Sequence, residues 1–149
     1  MNNMICLNDI LDAISIKLNQ IFGDKYTIYT NSIEQGFNMP CFYIKQLPEN
    51  RYKKVGNRYY NETSFVIHVF LEKATIEELN EIGQELYELE YIELLNKELL
   101  RGSSMKTEIV DNVLEFFIDY NFYTFKQATL VDSMQNVTID GEVKNSAKK

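Results

Sequence analysis

From Val113 to Phe125 the chain alternates: Leu114, Phe116, Ile118, Tyr120 and Phe122 fall on one side, Glu115, Asp119 and Asn121 on the other. A period of two sustained this long belongs to a half-buried β-strand, not to a helix. Just before it stands Asp111-Asn112, a pair that tolerates positive φ, and before that a second strand-like run from Leu99 to Val110. Together they predict a long hairpin with one face in a core. A third run, Arg58 to Leu71, puts Phe65, Ile67, Val69 and Leu71 on one face. Glu62, Ser64 and His68 lie on the other, with Val66 and Phe70 among them. At about 3.3 Å per residue this run reaches roughly 46 Å, well beyond a usual strand. Its first half is polar and rich in tyrosine. That predicts an arm projecting past the core, shared with the end of the strand before it.

The remaining elements are shorter. Asn8-Asp9 opens an amphipathic helix carrying Leu11, Ile14, Leu18 and Ile21, with Asn8 as its cap and Gly23 past its end. Lys25 to Asn31 is β-branched and aromatic and predicts a strand; Ser32 to Met39 predicts a loop. Pro40 to Leu47 predicts a second strand, its proline at the first position, and Pro48 to Asn57 a turn-rich loop. Thr75-Ile76-Glu77-Glu78 has the spacing of a capping box. The helix that follows packs Ile76, Leu79, Ile82, Leu86 and Leu89, and Gly83 on or near that face predicts close approach to the sheet. Tyr91 to Leu95 either continues the helix or turns into a short connector. The order is helix, three strands, helix, two strands. The expected class is α+β: a mostly antiparallel sheet of about five strands, two helices on one face, a long hairpin arm and a C-terminal extension. Residues 1–127 are expected as a single domain and 128–149 as an arm or flexible tail, in which Val137 to Val143 hints at an added strand.

Charge and composition narrow the function. With 149 residues the chain is the size of one domain, and its net charge of −7 argues against a generic duplex-binding protein. No apolar run approaches the roughly 18 residues of a membrane span, and the first residues lack the basic and apolar regions of a secretory signal. Synthesis in a cytoplasm is expected. Cys6, Cys41 and His68 make a poor zinc set, and the two cysteines are expected as free thiols, Cys41 packed as a small hydrophobe. A Cys–His pair using His68 lacks an orienting third group. Asp119 is the one acid with strongly apolar neighbours, and it reads most simply as a surface strand residue. There is no phosphate-binding glycine loop, no HExxH, no GxSxG and no calcium-loop spacing. No catalytic residue, cofactor or metal is expected.

Two patches of opposite sign remain. Arg51, Lys53, Lys54 and Arg58 form the only dense basic cluster, interleaved with Tyr52, Tyr59 and Tyr60. Glu77, Glu81, Glu85 and Glu88, with Glu78, cover the outside of the second helix. Both can be plain solvated surface. They are also the candidate halves of a contact between proteins.

The stretch Leu100-Arg101-Gly102-Ser103-Ser104-Met105, followed by Glu108-Ile109-Val110-Asp111-Asn112-Val113-Leu114-Glu115-Phe116-Phe117 and Tyr120-Asn121-Phe122, resembles a phage tail terminator family. Pro40 to Ile44 and Phe65 to Val69 resemble it as well, and the similarity runs from about Asn8 to Gln127. Members come from contractile-tailed phages, defective prophages and phage-tail-like bacteriocins of low-GC Gram-positive bacteria. The resemblance implies a non-enzymatic virion subunit forming a hexameric ring. That ring would cap the head-proximal end of the tail tube, stop tube and sheath polymerisation, and offer a surface to the neck or head. The implied partners are further copies of the chain, the tail tube protein, and sheath or collar connector proteins. DNA would pass the lumen without specific binding, and no membrane is involved. The alternatives are another head–tail completion protein or, from a different class, a small enzyme or nucleic-acid-handling factor.

Overall fold

In the computed structural model, which describes residues 5–30 and 36–126, the alternating run becomes the strand it predicts. Helix α1 spans Leu7–Phe22, β1 Thr27–Tyr29, β2 Cys41–Gln46, β3 Asn50–Lys53 and β4 Arg58–Phe70. Helix α2 spans Ile76–Leu86, β5 Tyr91–Glu93, β6 Leu99–Val110 and β7 Val113–Phe125. The expectation for residues 128–149 lies outside the described residues.

The long pair β4–β7 is the spine. It runs antiparallel in continuous register from Arg58↔Phe125 to Val69↔Leu114. β6 folds back on β7 through Asp111 and Asn112, whose φ values of 51° and 62° match the twist of a two-residue hairpin. β2 flanks the other edge of β4, and β1 adds to β2 in parallel. The order is β1-β2-β4-β7-β6-β5, with β3 also on β4. The sheet therefore has seven strands rather than about five, and it is mixed: β1 pairs β2 in parallel, while the other pairings are antiparallel as expected.

Both helices cover one face. α1 buries Ile10, Ala13, Ile14 and Leu18; α2 buries Leu79, Ile82, Gly83 and Leu86. Beneath them lie Phe42, Ile44, Phe65, Ile67, Val69, Leu114, Phe116, Ile118 and Tyr120, all buried. The Tyr120 hydroxyl donates to the Leu89 carbonyl at 2.6 Å, which satisfies the one polar atom of a ring sealed in apolar surroundings. Gly102 sits where β6 crosses this layer. A Cβ there would overlap the Ile118 side chain, 2.8 Å from its Cγ1, so only glycine fits.

Several local expectations change. The cap of α1 is Cys6, whose N–H donates to the Asp9 carboxylate at 3.0 Å; Asn8 is already inside the helix. Gly83 faces Leu114 and Thr107, but a Cβ would sit 3.5 Å from each. The helix thus lies close to the sheet there as expected, but a groove of about 380 Å³ opens beside it and an alanine would fit. Ile76 is 62% exposed and does not pack, while Leu89 packs from a 3-10 turn, Tyr87–Glu90, rather than from the helix.

The arm exists with a different composition. β2 stops at Gln46↔Phe65, and β6 leaves β7 at Gly102↔Tyr120. Beyond those points β4 and β7 continue, and the third strand is β3, drawn from the segment expected to be loop. The end of β2 takes no part. Asn61, fully buried, ties the three strands together. Arg51 Nε on β3 donates to Asn61 Oδ1 at 2.6 Å, and Asn61 Nδ2 donates to Thr124 Oγ1 at 3.0 Å and to the Phe122 carbonyl at 3.3 Å on β7.

Candidate interaction surfaces

The basic cluster occupies the end of the arm. Residues directly opposite in an antiparallel ladder share a face, so the register sorts the cluster in two. Tyr52, Tyr60 and Tyr123 form one row across β3, β4 and β7 on the face away from the helices. The Tyr60 and Tyr123 rings lie 4.9 Å apart, the Arg58 guanidinium sits 4.3 Å over Tyr123, and Lys54 Nζ lies 6.0 Å from the Tyr60 ring. Arg51, Lys53 and Tyr59 fall on the other face. Arg51 has a structural task there through Asn61. The turn Lys54–Asn57 closes through the Lys54 N–H, which donates to the Arg58 carbonyl at 2.8 Å, and Gly56 at φ 69° makes the bend. Val55 at the tip is 90% exposed.

The acidic cluster also divides. Glu77, Glu81, Glu85 and Glu88 are all exposed, but Glu88 belongs to the 3-10 turn rather than to α2. Glu81 and Glu85, with Glu78, line a groove of about 580 Å³ between α2 and the end of α1, floored by Ile21, Phe22, Tyr26 and Ile82. Glu78 belongs to the cap as well: Thr75 Oγ1 accepts from its N–H at 3.1 Å. The floor is a packed aromatic set, with Phe22 5.4 Å from Tyr26 and 5.0 Å from Phe42. Burial first, then the negative charge of Glu85 and Glu78, holds the Tyr26 phenol above its ordinary pKa. Against three carboxylates the groove carries one cation, Lys25, 5.4 Å from the Tyr26 ring. No signal in the sequence marked this floor, because the approach of α1 to α2 is a tertiary fact.

The uncovered face of the sheet carries His68. Its ring stacks 5.7 Å from Tyr43 and 6.2 Å from Phe70, and its Nδ1 lies 3.6 Å from a Glu115 oxygen. Burial lowers the His68 pKa, Glu115 raises it and Lys45 lowers it, with a net fall. Cys41 is fully buried and its thiol is pushed up to about 11, the opposite of what a nucleophile needs. Asp119 is half-buried opposite Ser64 and Ser103. Among the described residues no three His, Cys, Asp or Glu side chains gather to hold a metal, and no helix is long and apolar enough to cross a membrane. What the described surface offers is two patches of opposite charge at separate places, the basic arm and the acidic groove.

No curated protein sequence matches the chain. A family model described as phage tail terminator protein matches residues 9–132, which runs from the first turn of α1 past the end of β7. On that match the chain belongs to a phage tail terminator family, a family of structural virion proteins that associate with other tail proteins.

Proposed function

We propose that this chain closes the head-proximal end of a tail tube. Copies of it form a ring, hexameric on the resemblance described above, that ends tube and sheath polymerisation and presents the attachment surface for the neck or head. The family match over residues 9–132 carries this reading. The resemblance of Leu100–Phe122 extends it to a contractile-tailed phage, defective prophage or phage-tail-like bacteriocin of a low-GC Gram-positive host.

The physical chemistry agrees with a ring. A closed heterologous assembly needs two different complementary patches per subunit. The arm, with Arg51, Tyr52, Lys53, Lys54, Arg58, Tyr59 and Tyr60, is one candidate; the helix face with Glu77, Glu81, Glu85 and Glu88 is the other. Net-acidic subunits also favour passage of DNA through a lumen without adhesion.

The test is to remove the chain from cells that make the particles and to measure tubes by electron microscopy. Tubes of uncontrolled length are expected, restored to one length by the wild-type chain. Tubes of normal length without it refute the function. Restoration by a chain reversed at Arg51, Lys53 and Lys54 would remove the arm from the account.

A further inference from the structure

The arm and the acidic groove sit at opposite ends of one strand. The arm's tip turns into β4 at Arg58. The groove's aromatic floor packs on Phe42, which stands opposite Val69 near the far end of β4. Eleven residues of strand at about 3.3 Å each separate the two by roughly 36 Å. The start of α1 tells the same story: Ile5, Cys6 and Leu7 share a pocket with Glu49 and Arg51 at the base of the arm, while Ile21 and Phe22 at its other end line the groove. No bending of the turn brings tip and groove of one chain together.

We propose that the tip Lys53–Arg58 of one copy docks in the α1–α2 groove of the next. This inference rests on the ring reading above and names its contact. The chemistry matches on three counts. Lys53, Lys54 and Arg58 meet Glu78, Glu81 and Glu85. Val55, nearly fully exposed at the apex, finds apolar floor in Ile21, Phe22 and Ile82. The tip is a short closed hairpin turn, so little conformational entropy is lost on docking. Because tip and groove are different surfaces at opposite ends, each copy uses both, and the contact propagates head to tail until it closes. Charge supplies register and encounter rate, while the apolar apex supplies the desolvated centre.

The full-length chain tests this by reciprocal charge reversal, read by light scattering after gel filtration. The wild type assembles into a multimer that loosens at high salt. The tip variant K53E/K54E and the groove variant E81K/E85K each self-associate about a hundredfold more weakly, since like charges then face each other across the contact. Mixed in equal amounts they assemble again, because each tip now meets a groove of opposite sign. Circular dichroism melts confirm that both are folded. A third variant, Val55→Ser, removes the apolar apex without changing either charge set and weakens assembly. The proposal is overturned if the reversed variants assemble like the wild type, if the mixture stays dissociated, or if the wild type is monomeric at millimolar concentration. These outcomes are separate from the function: a mixture that stays dissociated while each variant still sets tube length would leave the terminator reading standing and remove this contact.

Discussion

Replacing Asn61 by alanine loosens the arm and leaves the core alone. Asn61 is fully buried and makes three hydrogen bonds, accepting from Arg51 Nε and donating to Thr124 Oγ1 and the Phe122 carbonyl. A buried hydrogen bond contributes about 1 kcal/mol net, more when one partner is charged, and a group left unpaired adds its own penalty. The Arg51 side chain is exposed and recovers water, so its share is the smaller one. The total is about 2–3 kcal/mol. It falls on the three-strand segment, because β2 and β6 have already ended and all three bonds run between β3, β4 and β7. Local opening is governed by local free energy. Amides of Arg51–Lys53 and Tyr59–Asn61 should therefore exchange with deuterium about thirtyfold faster or more, at roughly 1.4 kcal/mol per tenfold, while those of Phe65–Val69 keep their protection. Equal acceleration in both segments would mean that the arm is not a separate unit. No acceleration would mean that the three bonds do not hold it.

Other consequences can be checked by ordinary means. Gly102→Ala should destabilise by about 1–3 kcal/mol in urea, since its Cβ overlaps Ile118. Gly83→Ala should be neutral or stabilise by up to about 1 kcal/mol, since its Cβ meets Leu114 and Thr107 at ordinary contact distance. The His68 pKa is lowered by burial, so the unfolded state takes up its proton first as pH falls. The His68 contribution to stability is then complete above the unfolded value near 6.5 and is lost as pH drops through the folded value. His68→Gln should flatten that part of the stability profile, and an NMR titration of the ring should give a midpoint below 6.5, lower still in Glu115→Gln. Iodoacetamide at neutral pH should modify exposed Cys6 and spare buried Cys41 in the folded chain, as mass spectrometry would show; equal labelling would contradict the packing of β2.

The parts of the fold that could be read in advance are those where one physical signal acts alone. β7 begins and ends where its alternation puts it, because one of its faces is buried, and the Asp111-Asn112 turn then fixes where β6 ends. β3 has no signature in the sequence because Asn50-Arg51-Tyr52-Lys53 buries nothing: all four residues are exposed, and only the ladder to β4 makes them a strand. The cap at Cys6 leaves no mark of its own in the sequence, because its N–H is met by the Asp9 carboxylate reaching back rather than by a capping side chain. Likewise, charge located both candidate patches, but sequence spacing grouped Glu77 and Glu88 with Glu81 and Glu85, and only the docking of α1 on α2 selects those that share a groove with Tyr26. The tyrosine row Tyr52–Tyr60–Tyr123 likewise depends on pairing register across residues far apart in the chain.

The most direct measurement is cryo-electron microscopy of intact particles carrying this chain with a small epitope label on it. The account predicts the label at one end of the tube only, the end facing the head or collar, in a single closed ring seated on the last tube layer. A label distributed along the tube, placed at the baseplate end, or missing from finished particles would contradict it.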